Sequence, residues 1–114
     1  MTTQKDYVFQ IDNKQLSIPI VQTYDENLGS FVWSSGELMA NYIIDHRALF
    51  KNKTILELGC GPGLPGIVAA KIGARVILTD KGTPETLLRC CEMNCIINNV
   101  MNSCHIVCCF SVSP

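Results

Sequence analysis

A chain of 114 residues, 47% hydrophobic and 17% charged, has room for one domain with a modest core. Its formal charge of −1 leaves no basic surplus for nucleic acid or an anionic membrane surface. The polar stretch Met1 to Asp6 starts no secretory signal, and no run nears the ~20 apolar residues of a membrane span, so a soluble protein of the cytoplasm or nucleus is expected.

Residues 7–11 and 16–21 are rich in β-formers and flank a polar turn, Asp12-Asn13-Lys14-Gln15. That predicts a β-hairpin, with Pro19 placing the second strand at an edge or bulge. Residues 23–35 carry the breakers Asp25, Asn27, Gly29 and Ser30 and the sole tryptophan, Trp33, which either packs or lines a ligand site. Ser34 with Glu37 reads as a capping box opening a helix over about 35–50, its apolar positions being Leu38, Met39, Tyr42, Ile43, Ala48 and Leu49. His46, near its end, has no partner cluster and reads as solvated or facing the helix dipole.

A short apolar strand, 54–58, stops at Gly59, and Gly61 and Gly63 follow at every second position. A helix over 64–72 starts at once, with Pro65 in its first turn and Gly73 at its end. A second buried strand, 75–79, is closed by Asp80. Thr83-Pro84-Glu85 opens a helix to about residue 97, with Leu87, Leu88, Cys91, Cys95 and Ile96 facing inward and Asn98-Asn99 stopping it. The apolar run 104–112 is a third strand. This order makes one βαβαβ unit with a parallel sheet. The fold class is therefore α/β and Rossmann-like, with an N-terminal hairpin and loop (1–33) ahead of a cofactor-binding half-domain (34–112).

Seven cysteines, an odd number without secretory context, read as small buried hydrophobes. Cys91-x3-Cys95 with Cys104-x3-Cys108 offers a zinc alternative, but a spacing of four along a strand holds the second pair apart.

The stretch Gly61 to Gly66 spells G-x-G-x-x-G, the form of a dinucleotide loop. However, the glycine directly after the strand is Gly59, and the pattern from there is G-x-G-x-G. Pro62 and Pro65 remove two of the amides a pyrophosphate needs. Glu57, at the strand's end, repels a pyrophosphate and suits a ligand with an ammonium and a sulfonium, as S-adenosylmethionine has. Asp80, at the carboxyl end of the next strand and 21 residues after Gly59, is placed to accept hydrogen bonds from ribose hydroxyls. The candidate cofactor residues are thus Glu57, Gly59, Cys60, Gly61, Gly63 and Asp80, with no catalytic residue and no metal ligand.

The segment Ile55-Leu56-Glu57-Leu58-Gly59-Cys60-Gly61-Pro62-Gly63 closely resembles the first motif of the seven-strand S-adenosylmethionine-dependent methyltransferases. Val76-Ile77-Leu78-Thr79-Asp80 resembles their ribose-binding motif. Leu28-Gly29-Ser30-Phe31-Val32-Trp33 is similar to the segment that marks the family-16, methyltransferase-like protein methyltransferases. His46-Arg47, Leu64-Pro65-Gly66-Ile67, Ala69-Ala70-Lys71, Gly73-Ala74, Cys91, Cys95 and Asn98-Asn99 extend the likeness, which covers about residues 7–100. The resemblance implies that Trp33 contacts the cofactor and that the substrate is protein, arginine or lysine, histone included. It also implies further strands, an acidic motif near the transferred methyl group and a substrate-closing region. These are not found in this sequence, so a truncated chain is expected, its open sheet stabilised by a protein partner. The competing readings are a non-catalytic cofactor-binding or regulatory module and a nicotinamide-dinucleotide-binding fragment.

Overall fold

The computed structural model describes residues 2–23, 32–81 and 85–109, with residues 85–88, 108 and 109 described by backbone alone. The breakers Asp25 to Ser30, the Thr83-Pro84 helix start, the inward placing of Leu87 and Leu88, and residues 110–112 of the third strand lie outside what is described.

Thr2–Ile11 (β1) and Lys14–Thr23 (β2) form an antiparallel ribbon closed by Ile11 opposite Lys14. Asp12 and Asn13 both have positive φ, 48° and 67°, as a two-residue hairpin turn requires. The tight turn puts Lys14 and Gln15 into β2 rather than the loop, and the ladder extends β1 back to Thr2. Tyr7, Phe9, Ile18 and Ile20 alternate onto one buried face and share a single apolar core with Leu64, Ile67, Val76 and Leu78 of the following unit.

The predicted 35–50 helix is two helices, Ser34–Asp45 (α1) and Arg47–Phe50 (α2). His46 breaks it at φ −120°, ψ 34°, its ring stacked 4.1 Å from that of Tyr42 at the carboxyl end of α1. No capping box forms. Ser34 is already helical, Trp33 is the N-cap, and the Trp33 carbonyl accepts the Gly36 amide at 2.9 Å. The inward face also differs from the predicted one. Ala40, Ile43 and Ile44 are buried, whereas Leu38, Met39, Tyr42 and Leu49 are exposed. Of the predicted apolar positions Ile43 does face inward, and Ala40 and Ile44 join it where α1 packs on the helix Leu64–Lys71 of the next unit.

Thr54–Glu57 (β3), Leu64–Lys71 (α3), Arg75–Lys81 (β4), Glu85–Ile97 (α4) and Cys104–Cys109 (β5) complete the chain, with a single 3-10 turn at Met101–Ser103 before β5. The three strands form a parallel sheet in the order β3-β4-β5. β4 is central and buried. β3, read from sequence as a buried strand reaching residue 58, ends at Glu57 and is an edge, since among the described residues nothing pairs with its outer side. Leu56 and Leu58 are consequently 59% and 72% exposed and share an apolar cleft with Met39, Ile43 and Phe50.

On α4, Cys91 and Cys95 are buried as expected, but Ile96 is 55% exposed. The inward positions go to Asn94 and Asn98, both buried. Asn99 ends the helix in the left-handed conformation, φ 58°. Cys60, Cys90, Cys91, Cys95 and Cys104 are free, buried thiols. Among the described residues no helix is long and apolar enough to cross a membrane.

Candidate functional site

The glycine loop leaves β3 and turns through three left-handed residues, Gly59, Gly61 and Gly63, at φ 64°, 53° and 98°. Such angles strain any residue with a Cβ. At Gly63 there is also no space, because a Cβ would lie 3.0 Å from Cys91 Sγ. Gly63 is the N-cap of α3, and Pro65 sits in the first turn, where its missing N–H costs nothing.

The carboxyl end of β4 fixes the loop. Thr79 Oγ1 donates to the Glu57 carbonyl at 2.8 Å, and the Cys60 amide donates to the Thr79 carbonyl at 2.8 Å. Asp80 accepts the Gly61 amide on Oδ2 at 2.8 Å and the Lys81 amide on Oδ1 at 2.6 Å. The Gly63 amide returns to the Cys60 carbonyl at 2.9 Å. From Cys60 to Gly63 every amide is therefore engaged within the protein, and Pro62 has none. A loop so satisfied offers no N–H cradle to a pyrophosphate. Asp80, with about four acceptor sites on its carboxylate, retains capacity for ligand hydroxyls.

Glu57 is the exception to this satisfaction. Its Oε1 is buried with no hydrogen-bond partner. Burial pushes its pKa up to about 7; the Gly66 amide pulls it down, and the charge of Asp80 adds to the rise. A buried carboxylate with one oxygen unpartnered, beside a ligand cleft, suits a cationic group of the ligand.

A cleft of about 300 Å³ opens over these groups, lined among others by Trp33, Glu57, Gly59, Cys60, Gly61 and Asp80. Trp33 stands at its rim, 62% exposed. Gly63 is the predicted site residue that does not line it, since it faces Cys91 behind the loop. The Cys60 thiol also turns inward, 3.8 Å from Cys91 Sγ. Hydrogen bonds with Cys60 and Cys95, and burial, push the Cys91 thiol well above its ordinary pKa, which marks it as inert packing. Among the described residues no three His, Cys, Asp or Glu side chains converge as a metal site.

Sequence reasoning missed Gly66. It is buried in α3, and a Cβ there would collide with Leu78 Cδ2 and come within 2.7 Å of Glu57 Oε1. Its signal was the final glycine of the G-x-G-x-x-G spelling, the position that lets a helix lie close on the sheet. Asn94, which reaches the loop from α4, carried no signal.

Residues 10–108 match the model of the family described as lysine methyltransferase. The chain belongs to this family. The match to the lysine methyltransferases runs through β4 and into β5, beyond residue 100, where the motif likeness ends. A histone-arginine methyltransferase, METTL23 of Xenopus laevis, is 36% identical over 90 residues, which are 79% of this chain and 38% of that protein. The chain thus spans a little over a third of that relative's length. Among solved structures, an S-adenosylmethionine-dependent methyltransferase from Agrobacterium tumefaciens has a TM-score of 0.61 at 13% identity, over 91% of this chain and 32% of that one. A methyltransferase solved with S-adenosylhomocysteine, SMU.776, has a TM-score of 0.64 at 16% identity, over 91% of this chain and 26% of that one. Both likenesses place this lysine methyltransferase family member in the Rossmann-like methyltransferase fold.

Proposed function

We propose that this chain binds S-adenosylmethionine in the cleft between the glycine loop, Asp80 and Trp33, as the cofactor-holding part of a protein methyltransferase. The observation that carries the reading is Glu57 lining the cleft, with one carboxylate oxygen buried and unpartnered among the described residues, beside a loop whose Cys60, Gly61 and Gly63 amides are engaged. In this reading Glu57 faces the ligand's ammonium end, Asp80 takes ribose hydroxyls, and Trp33 covers the cleft from the α1 side. Gly59 and Gly61 let the backbone pass close to the ligand, Cys60 ties the loop to β4, and Gly63 turns it into α3.

The cofactor supplies an activated methyl group on its sulfonium. What this chain's residues contribute is binding, orientation and partial exclusion of water. The substrate class is a protein nitrogen: the family's description names lysine and the METTL23 name arginine. A stabilising polypeptide cover over the open β3 edge is part of the same proposal, supported by the exposure of Leu56 and Leu58. The five buried free thiols support a reducing setting, cytoplasm or nucleus.

A second reading, a cofactor-binding module without turnover, is favoured by the cleft's composition. Among the described residues, and apart from the inward-turned Cys60 thiol, its ionisable lining is Glu57, Asp80 and Lys81, all assigned to binding or lying at the loop's edge.

Calorimetric titration with S-adenosylhomocysteine tests the proposal. Gly61→Arg, which puts a bulky side chain into a left-handed turn in the cleft, is expected to abolish binding, and Asp80→Ala to weaken it by roughly tenfold or more. Binding that neither variant changes, or a preference for a nicotinamide dinucleotide, would overturn the site.

A further inference from the structure

Among the described residues β2 pairs with β1 alone, so the backbone groups along its other edge need partners. They find two asparagines of α4, with the Cys90 thiol also donating to the Val21 carbonyl at 3.1 Å. Asn98 Nδ2 donates to the Pro19 carbonyl at 2.9 Å. Asn94 Oδ1 accepts the Val21 amide at 2.7 Å, and Asn94 Nδ2 donates to the Val21 carbonyl at 3.0 Å. The spacing is matched: two strand residues advance about 6.6 Å and four helical residues about 6 Å. Proline is accommodated at residue 19 because an edge residue whose carbonyl alone needs a partner loses nothing by lacking an N–H.

Asn94 does more than cap an edge. Its Nδ2 also donates to the Pro62 carbonyl, in the middle of the glycine loop, at 2.9 Å. The residue is 0% exposed, and both its amide hydrogens and its oxygen are engaged. The next residue along β2, Gln22, is also buried, and its Oε1 accepts the Val32 amide at 2.8 Å, one residue before Trp33. Two consecutive residues of β2 therefore hold the two walls of the cleft, Val21 through Asn94 to the loop and Gln22 directly to the tryptophan segment.

We propose that Asn94 is a positioning residue for the cofactor: it locks the Pro62 turn of the glycine loop to β2 and, through β2, couples that wall to the Trp33 wall. The hairpin is then a working part of the cofactor site, not a separate decoration. This rests on the reading of the cleft as the cofactor site.

Asn94→Asp keeps the size and the acceptor for the Val21 amide but sets an oxygen against the Pro62 and Val21 carbonyls. It is expected to weaken S-adenosylhomocysteine binding about tenfold or more. By hydrogen exchange, the Gly61 and Gly63 amides should then be deprotected at least about tenfold while those of Val76 and Leu78 keep their wild-type rates. Gln22→Ala should shift the emission of Trp33, the sole tryptophan, and its effect on affinity should be non-additive with that of Asn94→Asp. Asn94→Ser, which breaks the Pro62 bond without adding charge, serves if the aspartate variant does not fold. Unchanged affinity in a folded Asn94 variant, or exchange that speeds up equally in the loop and in β4, overturns the proposal. If the wild-type chain binds no S-adenosylhomocysteine, the cofactor reading fails; loop-selective exchange would still support the clamp and uniform exchange would still refute it.

Discussion

Glu57→Gln is expected to weaken S-adenosylhomocysteine binding by roughly thirty- to a hundredfold while making the ligand-free protein more stable at pH 8. The two effects have one cause. In the free protein the carboxylate is buried with an unpartnered oxygen, and its pKa stands at about 7, above the ordinary 4.5. A carboxyl whose pKa is raised on folding favours the fold below its unfolded pKa, and that contribution is lost as pH rises through the folded value. At pH 8 the charged, buried form therefore costs stability on the order of 2 kcal/mol, and glutamine removes that cost. Thermal unfolding should show a gain of roughly 5–10 °C at pH 8 that disappears near pH 4.5. A bound ammonium favours the ionised carboxylate, so wild-type affinity should fall roughly tenfold between pH 7.5 and pH 6, and the glutamine variant should lose this slope. A glutamine variant that binds as tightly as wild type, with the same pH profile, would remove Glu57 from the site.

Gly66→Ala should destabilise the fold by roughly 2–3 kcal/mol or prevent folding. The new methyl group would collide with Leu78 Cδ2, lie 2.7 Å from Glu57 Oε1 and 3.1 Å from Val76 Cγ1, all in the seam between α3 and the sheet. Core atoms of β4 cannot move aside as a flexible surface side chain can. Gly36→Ala is the matched control. Its Cβ would meet Val32 Cγ1 at 3.5 Å and Pro65 Cγ at 3.9 Å, ordinary contacts, so the helix-propensity gain of up to about 1 kcal/mol should appear. Chemical denaturation of the two variants checks both signs. Equal effects from the two alanines would mean that close approach of α3 to the sheet is not what Gly66 provides.

The features legible in the sequence were those with local causes. The hairpin, the strand–glycine–helix stretch and the helix stop at Asn98-Asn99 each follow from what a few adjacent residues can do with their own backbone, whereas β4 runs past the expected end at Thr79 to Lys81 and takes in Asp80. The apolar run 104–112 was likewise read as a strand, and its described part, Cys104–Cys109, is β5. The inward face of α1 was not legible. Leu38, Met39 and Tyr42 looked like core, but the face that packs on α3 carries Ala40, Ile43 and Ile44, and Met39 is left in the apolar cleft beside the open β3 edge. The capping box failed because the Trp33 carbonyl, not the Ser34 hydroxyl, receives the first helical amides. Asn94 was invisible because its partners, Val21 and Pro62, lie 73 and 32 residues away. The backbone around Glu57, the glycines and Asp80 was more legible than the core beside it, since it is set by strand ends and φ angles rather than by distant packing.

The central claim is that this chain holds S-adenosylmethionine at the loop between β3 and α3. Its most direct test is a ¹⁵N–¹H correlation spectrum of the labelled protein titrated with S-adenosylhomocysteine. Saturable shifts of the Gly59, Gly61 and Lys81 amides and of the Trp33 indole, with the β1–β2 turn at Asp12 and Asn13 unmoved, are the predicted result. A titration that leaves the loop and Trp33 resonances in place, or moves only residues remote from the cleft, would contradict it.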